Sequence, residues 1–72
     1  MSTPQEQKLL DGFGKQVAIF RKRRELTQQQ LAEAVGMSVV AIAYIETGKR
    51  WVRPGTLSKI AKELKVNVSD LF

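Results

Sequence analysis

Two short helical segments joined by a tight turn, within residues 26–48, constrain the fold of this chain more than any other feature. Thr27 and Ser38 are residue types that cap helix N-termini, and Gln30 can complete a capping box with Thr27. Gly36 lies between the segments, where a left-handed residue ends one helix and turns the chain. Apolar residues at helical spacing supply buried contacts to both helices: Leu31, Val35, Ile42 and Ile45. This combination predicts a helix-turn-helix motif.

The N-terminal third of the chain predicts a first helix. Thr3 and Glu6 form a potential capping box, and Pro4 suits the first helical position. Apolar residues at spacings of three and four form one stripe: Leu9, Leu10, Phe13, Val17 and Phe20. Two glycines in the middle each weaken a helix by about 1 kcal/mol. We therefore expect a break or a fresh start near Asp11 and an end near Arg24.

The C-terminal third predicts two more helices. One is expected from about Thr56 to Leu64, and a last short helix is expected to start at Asn67. Strand-like alternation of apolar and polar residues is missing along the sequence. The predicted fold class is therefore all-α: one domain over residues 1–72, a compact five-helix bundle. A chain of 72 residues is near the lower limit for a stable single core, so dimerisation would help it.

Composition favours an anionic partner and argues against catalysis. The formal net charge is +5, and a basic domain with a helix-turn-helix is most often a sequence-specific DNA binder. Neither Cys nor His is present, so thiolate and imidazole ligands and the usual general base are missing. We expect no enzyme activity, no metal and no cofactor. We also expect no membrane span and a cytoplasmic location, because no long apolar run or signal peptide is found.

The second helix of the motif carries an unusually apolar outer face. A helical wheel puts Ile42 and Ile45 on the buried side with Ser38. The opposite side has Val40, Ala43, Tyr44 and Thr47, and the flanks have Val39, Ala41 and Glu46. Such side chains cannot make the bidentate contacts that arginine or glutamine makes with purines, but valines can contact thymine methyl groups. The alternative is that Val39 and Val40 extend the core or face a protein.

The chain resembles the phage repressor and Cro-like helix-turn-helix family, which includes restriction–modification controller proteins. The resemblance covers roughly residues 10–72. Its most specific residues are Leu26, Thr27, Gln28, Leu31, Ala32, Gly36, Ile42, Ile45, Glu46 and Gly48, followed by Leu57, Ile60, Ala61, Leu64 and Val66. It implies a lambda-repressor-like bundle that binds double-stranded DNA and regulates transcription. The apolar outer face departs from the family pattern, as does the lack of a glycine after Lys65.

Family resemblance also implies roles for individual residues. Gln28 would hold a DNA phosphate at the start of helix 2, with Gln29 close by. Arg21 and Glu46 match an ion pair that ties helix 1 to the end of helix 3. Base-reading or groove-lining positions would be Ser38, Val39, Val40, Ala43 and Tyr44, to which the wheel adds Thr47. The phosphate contacts after helix 3 would come from Lys49, Arg50 and Arg53. Three more lysines are expected to form a solvated face of helix 4: Lys59, Lys62 and Lys65.

A homodimer on a pseudo-palindromic operator is the expected assembly, with two recognition helices about 34 Å apart. The candidate residues for the dimer interface are Trp51, Leu71 and Phe72. Trp51 has two alternatives, which are packing on helix 4 and contact with the edge of the DNA backbone. A rival interpretation makes the domain an antitoxin or protein-interaction module. The two differ in salt dependence, because phosphate contacts release counterions and an apolar protein contact does not.

Overall fold

Four α-helices and one short 3-10 helix make up the described part of the chain. The computed structural model describes residues 3–72. The elements are α1 (Pro4–Arg23), α2 (Gln28–Val35), α3 (Val39–Glu46), α4 (Pro54–Leu64) and a 3-10 helix (Val68–Leu71). The all-α prediction is confirmed, but the predicted fifth α-helix is a single 3-10 turn. Across the described range, no helix is long and apolar enough to cross a membrane.

The buried core lies where the helices meet. α1 packs on α3, α2 packs on α3 and α4, and the 3-10 helix packs on α1 and α4. The largest fully buried side chains are Phe13, Leu31, Ile42, Ile45, Ile60, Leu64, Leu71 and Val17. Leu71 was predicted to lie in a dimer interface, and this prediction is wrong. Leu71 is the inward-facing residue of the 3-10 helix and seals the core, so none of its surface is exposed.

α1 is continuous, so the predicted break near Asp11 is wrong. The helix starts at the expected capping box, in which the Thr3 hydroxyl accepts from the Glu6 amide at 3.1 Å. It then runs without interruption through Gly12 and Gly14 to Arg23. Burial of one face of α1 against α3 compensates for the poor helix propensity of the two glycines, because packing of an amphipathic face outweighs propensity.

At Gly14 the backbones of α1 and α3 are in close contact. A methyl group at Gly14 would collide with the Ile45 carbonyl oxygen and lie 2.9 Å from the Glu46 carbonyl oxygen. Position 14 therefore requires glycine, because the backbone of α3 leaves no room for a side chain there. Gly12 has no such neighbour, because a methyl group there would meet nothing within 4 Å. The two glycines thus have different roles although they are only two residues apart.

All four α-helices end in the same hydrogen-bonding pattern. A left-handed residue follows each helix, and the next amide donates to a carbonyl five residues earlier, as in a Schellman motif. The left-handed residues are Glu25, Gly36, Gly48 and Lys65. The predicted stop at Gly36 is confirmed. Glu25 and Lys65 are left-handed without being glycine, so sequence signals did not mark them. α4 begins at Pro54, two residues before the predicted start, because proline suits the first helical position.

We predict opposite stability effects for alanine at the two glycines of α1. Gly12→Ala should stabilise the fold by up to about 1 kcal/mol, because only helix propensity changes. Gly14→Ala should destabilise it by about 1–3 kcal/mol, because α3 must shift to admit the methyl group. Urea unfolding of both variants and the wild type measures the difference. Equal stabilisation by both substitutions would contradict the close approach of α1 and α3.

Candidate nucleic-acid interface

α3 has apolar side chains on both its inner and its outer face. Ile42 and Ile45 are fully buried, as predicted. Ala41 is buried too, which corrects its predicted place on the flank. Val40 is 56% exposed, and Val39 and Tyr44 are also exposed. The outer face is therefore not an extension of the core, so that part of the alternative for Val39 and Val40 is wrong, while contact with a partner protein stays a prediction.

Hydroxyl groups at both ends of α3 are engaged by the helix itself. Ser38 caps the helix, and its oxygen accepts from the Ala41 amide at 3.1 Å. Ser38 is exposed, in contrast to the wheel, because a capping residue has extended rather than helical backbone angles. The Thr47 hydroxyl donates to the Ala43 carbonyl at 2.9 Å. Thr47 can therefore accept a hydrogen bond from a ligand but has already used its proton, whereas the Tyr44 side chain is exposed and keeps its phenol at the surface.

The N-terminus of α2 lies beside the C-terminal end of α3. The capping box of Thr27 and Gln30 is confirmed, with the Thr27 amide donating to Gln30 Oε1 at 2.8 Å. Gln28 Nε2 donates to Glu46 Oε1 at 3.0 Å, and Gln29 Nε2 donates to Glu33 Oε1 at 3.3 Å. Both side-chain amides keep a second proton. The first-turn backbone amides have no helical carbonyl to bond, so this end of α2 favours an anion.

Arg21 and Glu46 form the buried ion pair that the family resemblance implied. Arg21 Nε and Nη2 donate to the two carboxylate oxygens of Glu46 at 2.7 and 3.1 Å. Arg21 Nη1 donates to the Leu26 carbonyl at 2.7 Å. The side chains of the pair are only 11% and 6% exposed. Each of the three guanidinium nitrogens of Arg21 thus has an acceptor, and the end of α3 is attached to α1 and to the start of α2.

A second contact between α1 and the end of α3 gave no local sequence signal. Gln7 Nε2 donates to the Gly48 carbonyl at 2.9 Å and to Asp11 Oδ1 at the same distance. Gln7 and Gly48 are 41 positions apart. Together with Gly14, this contact holds α3 along much of the length of α1. Sequence reasoning missed both residues, because nothing near Gln7 or Gly14 in the chain indicates a partner in α3.

The loop after α3 is basic on its outer side and aromatic on its inner side. Lys49, Arg50 and Arg53 are exposed, and Lys49 Nζ lies 6.0 Å from the centre of the Tyr44 ring. The ring of Trp51 packs 4.8 Å from Phe13 and 5.8 Å from Phe72, between centroids. The ring is tilted against both partners, one in α1 and one at the C-terminus. Packing of Trp51 on helix 4 stays a prediction. Trp51 remains 40% exposed.

A helix-turn-helix family model, HTH_3, matches residues 17–71, which cover α2, α3 and α4 and the end of α1. The chain belongs to this family. Its helix-turn-helix consists of α2, the turn at Gly36 and α3, as the sequence predicted.

Several known proteins are similar to this helix-turn-helix chain. It is 43% identical over 64 residues to the HTH-type transcriptional repressor RghR of Bacillus subtilis (strain 168), covering 88% of this chain and 47% of that protein. It is 37% identical over 60 residues to a competence pilus inhibition repressor of Acinetobacter baylyi, covering 83% of this chain and 54% of that one. This helix-turn-helix chain therefore spans about half the length of the curated relatives it matches.

Solved structures share the helix-turn-helix fold. The restriction-modification controller protein C.AhdI of Aeromonas hydrophila superposes with a TM-score of 0.83 at 28% identity, covering 88% of this chain and 96% of that one. The clp gene regulator ClgR of Corynebacterium glutamicum gives 0.84 at 27% identity, covering 88% and 67%. The resemblance to restriction–modification controller proteins is therefore confirmed.

We predict that loss of Arg21 destabilises the helix-turn-helix domain. Arg21→Ala leaves the carboxylate of Glu46 buried without its cation, which should lower the free energy of unfolding by about 3 kcal/mol. Thermal unfolding followed by circular dichroism measures the loss as a lower melting temperature. Lys22→Ala is the matched control, because it removes an exposed cation from the next position and should change the free energy by no more than about 0.5 kcal/mol.

A double variant separates charge from geometry in the same experiment. Arg21→Met with Glu46→Leu removes both charges and should recover most of the lost stability, because an apolar pair of similar volume replaces a buried ion pair at little cost. An unchanged melting temperature for Arg21→Ala alone would contradict the importance of the pair.

Proposed function

We propose that this chain is a DNA-binding transcriptional regulator that inserts α3 into the major groove of an operator. The observation that carries the proposal is the outer face of α3. Its side chains are exposed and do not pack in the core, and basic residues follow the helix directly in the chain. The family, and relatives described as transcriptional repressors, support the same function. The major groove admits one α-helix, and its edges distinguish all four base pairs.

Base recognition is proposed to depend on thymine. Val39, Val40 and Ala43 offer only methyl groups, which match the 5-methyl group of thymine and no polar base edge. Tyr44 adds a phenol that can donate and accept a hydrogen bond. Thr47 is proposed to line the groove as an acceptor only. Ser38, at the N-terminus of the helix, can donate its hydroxyl proton while its oxygen caps α3.

Phosphate contacts are proposed on both sides of the recognition helix. At the start of α2, the backbone amides of Gln28 and Gln29 and the helix dipole favour a phosphate, and the second proton of each side-chain amide can add a bond. After α3, the proposed contacts are Lys49, Arg50 and Arg53. These positions orient the helix and supply affinity but carry no sequence information.

A homodimer is part of the proposal, because a pseudo-palindrome presents two half-sites about 34 Å apart. Trp51 and Phe72 remain the candidates for the interface, since both are exposed and lie side by side near the C-terminus. Val68 is exposed in the adjoining 3-10 helix. The three side chains would give a second copy an apolar contact.

The second candidate function is a protein-interaction module. It is favoured by one observation, the exposed valines of α3, since an apolar patch is as typical of a protein interface as of a contact with thymine methyl groups. In that case the partner protein would cover Val39 and Val40, and DNA would bind only through general charge attraction.

Selection of binding sites from random duplex DNA, at about 50 and 200 mM salt, separates the two functions. We expect a two-fold symmetric site with thymine opposite the valines of α3, enriched at both salt concentrations. Binding confined to low salt, with no enriched sequence, would overturn the operator-binding function and favour the protein module.

We further predict that the thymine methyl group itself is recognised. Replacing the contacted thymine by uracil removes one methyl group and should weaken binding about four-fold, since burial of such a group contributes about 0.8 kcal/mol. For the Val40→Ala variant the same replacement should have a much smaller effect. Uracil at a thymine outside the half-sites is the control, and fluorescence anisotropy of labelled duplexes gives the affinities. An equal loss in both proteins would contradict contact between Val40 and thymine.

A further inference from the structure

The outer side of α1 carries an apolar groove that neither the core nor the proposed DNA contacts use. Leu9, Gly12, Gln16 and Ile19 line it along the helix, and Phe72 closes one side. Leu9 is 51% and Ile19 is 42% exposed. The groove has a volume of about 430 Å³. We call these five residues the α1 groove.

The α1 groove faces away from α3. Gly14 contacts the backbone of α3, and Gly12 is two positions earlier in the same helix. Residues two positions apart in an α-helix point about 200° apart around the helix axis. A ligand in the α1 groove would therefore approach from the side of α1 opposite to the recognition helix and leave the outer face of α3 free.

Packing within the described fold does not explain why position 12 is glycine. A methyl group there would meet nothing within 4 Å, yet glycine costs about 1 kcal/mol of helix stability relative to alanine. The missing side chain opens the middle of the α1 groove between Leu9 and Ile19. Another backbone can approach α1 closely at this point, as small residues allow at helix–helix contacts.

The residues of the α1 groove recur at the spacing of a coiled-coil seam. Leu9 and Gln16 are seven positions apart, as are Gly12 and Ile19, so they occupy the two seam positions of successive heptads. Gln16 is held in place because its Nε2 donates to the Asp70 carbonyl at 3.3 Å. This spacing fits one long ligand in particular, an α-helix laid along α1.

Three lysines follow one edge of this seam. Lys8, Lys15 and Lys22 are all exposed and recur at intervals of seven residues. They occupy the heptad position that pairs with charges on a partner helix and sets partner choice. The edge therefore favours a partner helix with acidic residues beside its apolar stripe.

We propose that the α1 groove docks an amphipathic helix of a partner protein, with aspartates or glutamates at heptad spacing facing Lys8, Lys15 and Lys22. A second copy of α1 fits less well. Antiparallel packing would oppose lysines with lysines, and parallel packing would set them beside Phe13 and Phe20, which carry no negative charge. The partner is thus a different, acidic helix. Its binding leaves the proposed DNA contacts of α3 free, but it uses Phe72, which is also a candidate for the proposed homodimer interface, so the two assemblies compete for that side chain.

A designed peptide tests the proposal. The probe is a labelled amphipathic helix of about 21 residues, three heptads long, with leucine on its seam and glutamate on both flanks; a matched peptide has lysine in place of glutamate. We expect saturable binding of the glutamate peptide by fluorescence anisotropy and at least ten-fold weaker binding of the lysine peptide. Absence of saturable binding by the glutamate peptide would overturn the proposal.

Charge reversal on the protein makes the test specific. The triple variant Lys8→Glu, Lys15→Glu, Lys22→Glu should exchange the preference, binding the lysine peptide at least ten-fold more tightly than the glutamate peptide. The control variant makes the same charge change at three exposed lysines on α4 and directly after it: Lys59→Glu, Lys62→Glu, Lys65→Glu. It should keep the wild-type preference, and circular dichroism checks that both variants fold. Equal effects of the two triple variants would mean that the peptide responds only to the net charge of the protein, and this would overturn the proposal.

Filling the α1 groove gives an independent measurement. Gly12→Gln adds a side chain where the free chain has open space, so the fold should be retained while peptide binding weakens at least five-fold. Sedimentation of the protein alone tests whether a second copy of the chain binds in the α1 groove instead. Self-association that Gly12→Gln abolishes would assign the α1 groove to a second copy and overturn the acidic partner.

Discussion

The bidentate pair between Arg21 and Glu46 joins several parts of the chain at one point. It connects α1 to the end of α3. Arg21 Nη1 also donates to the Leu26 carbonyl, and Glu46 also accepts from the side chain of Gln28. Burial of two charges removes hydration that their attraction only roughly replaces, so the pair contributes little net stability. Its contribution is geometrical, because a single orientation of α3 satisfies all of these bonds.

Close backbone contact reinforces that orientation. At Gly14 the two helices approach so closely that a methyl group has no room, and Gln7 bonds the carbonyl just beyond α3. Three separate contacts thus fix α3 on α1 near its C-terminal end. The N-terminal part of the outer face, by contrast, projects into solvent. The helix is held firmly at one end and presented at the other, which suits insertion into a groove.

Sequence reasoning located the helix-turn-helix because its signals are local and agree with one another. Thr27, Ser38 and Gly36 fix the helix ends through bonds between residues no more than a few positions apart. The candidate residues on α3 followed from the periodicity of two buried isoleucines. The ion pair could be named only through family resemblance, because Arg21 and Glu46 are 25 positions apart in the chain.

The features that the sequence did not predict arise from long-range packing. The continuity of α1 depends on α3, and the burial of Leu71 depends on how the C-terminus closes over α1 and α4. Glu25 and Lys65 adopt left-handed backbone angles, which their residue types do not predict. The bond from Gln28 to Glu46 likewise could not be predicted, since only the folded chain brings the two side chains together.

One consequence follows from the division of α3 into two independent faces. The residues that hold the helix in the fold are Ala41, Ile42, Ile45 and Glu46, while Val39, Val40 and Tyr44 have large exposed surfaces. Substitutions on the outer face should therefore change the free energy of unfolding by no more than about 0.5 kcal/mol, as is usual for surface positions. Under the proposed function, a descendant of such a chain could acquire a different operator through changes confined to this face, while the core that holds the helix stays the same.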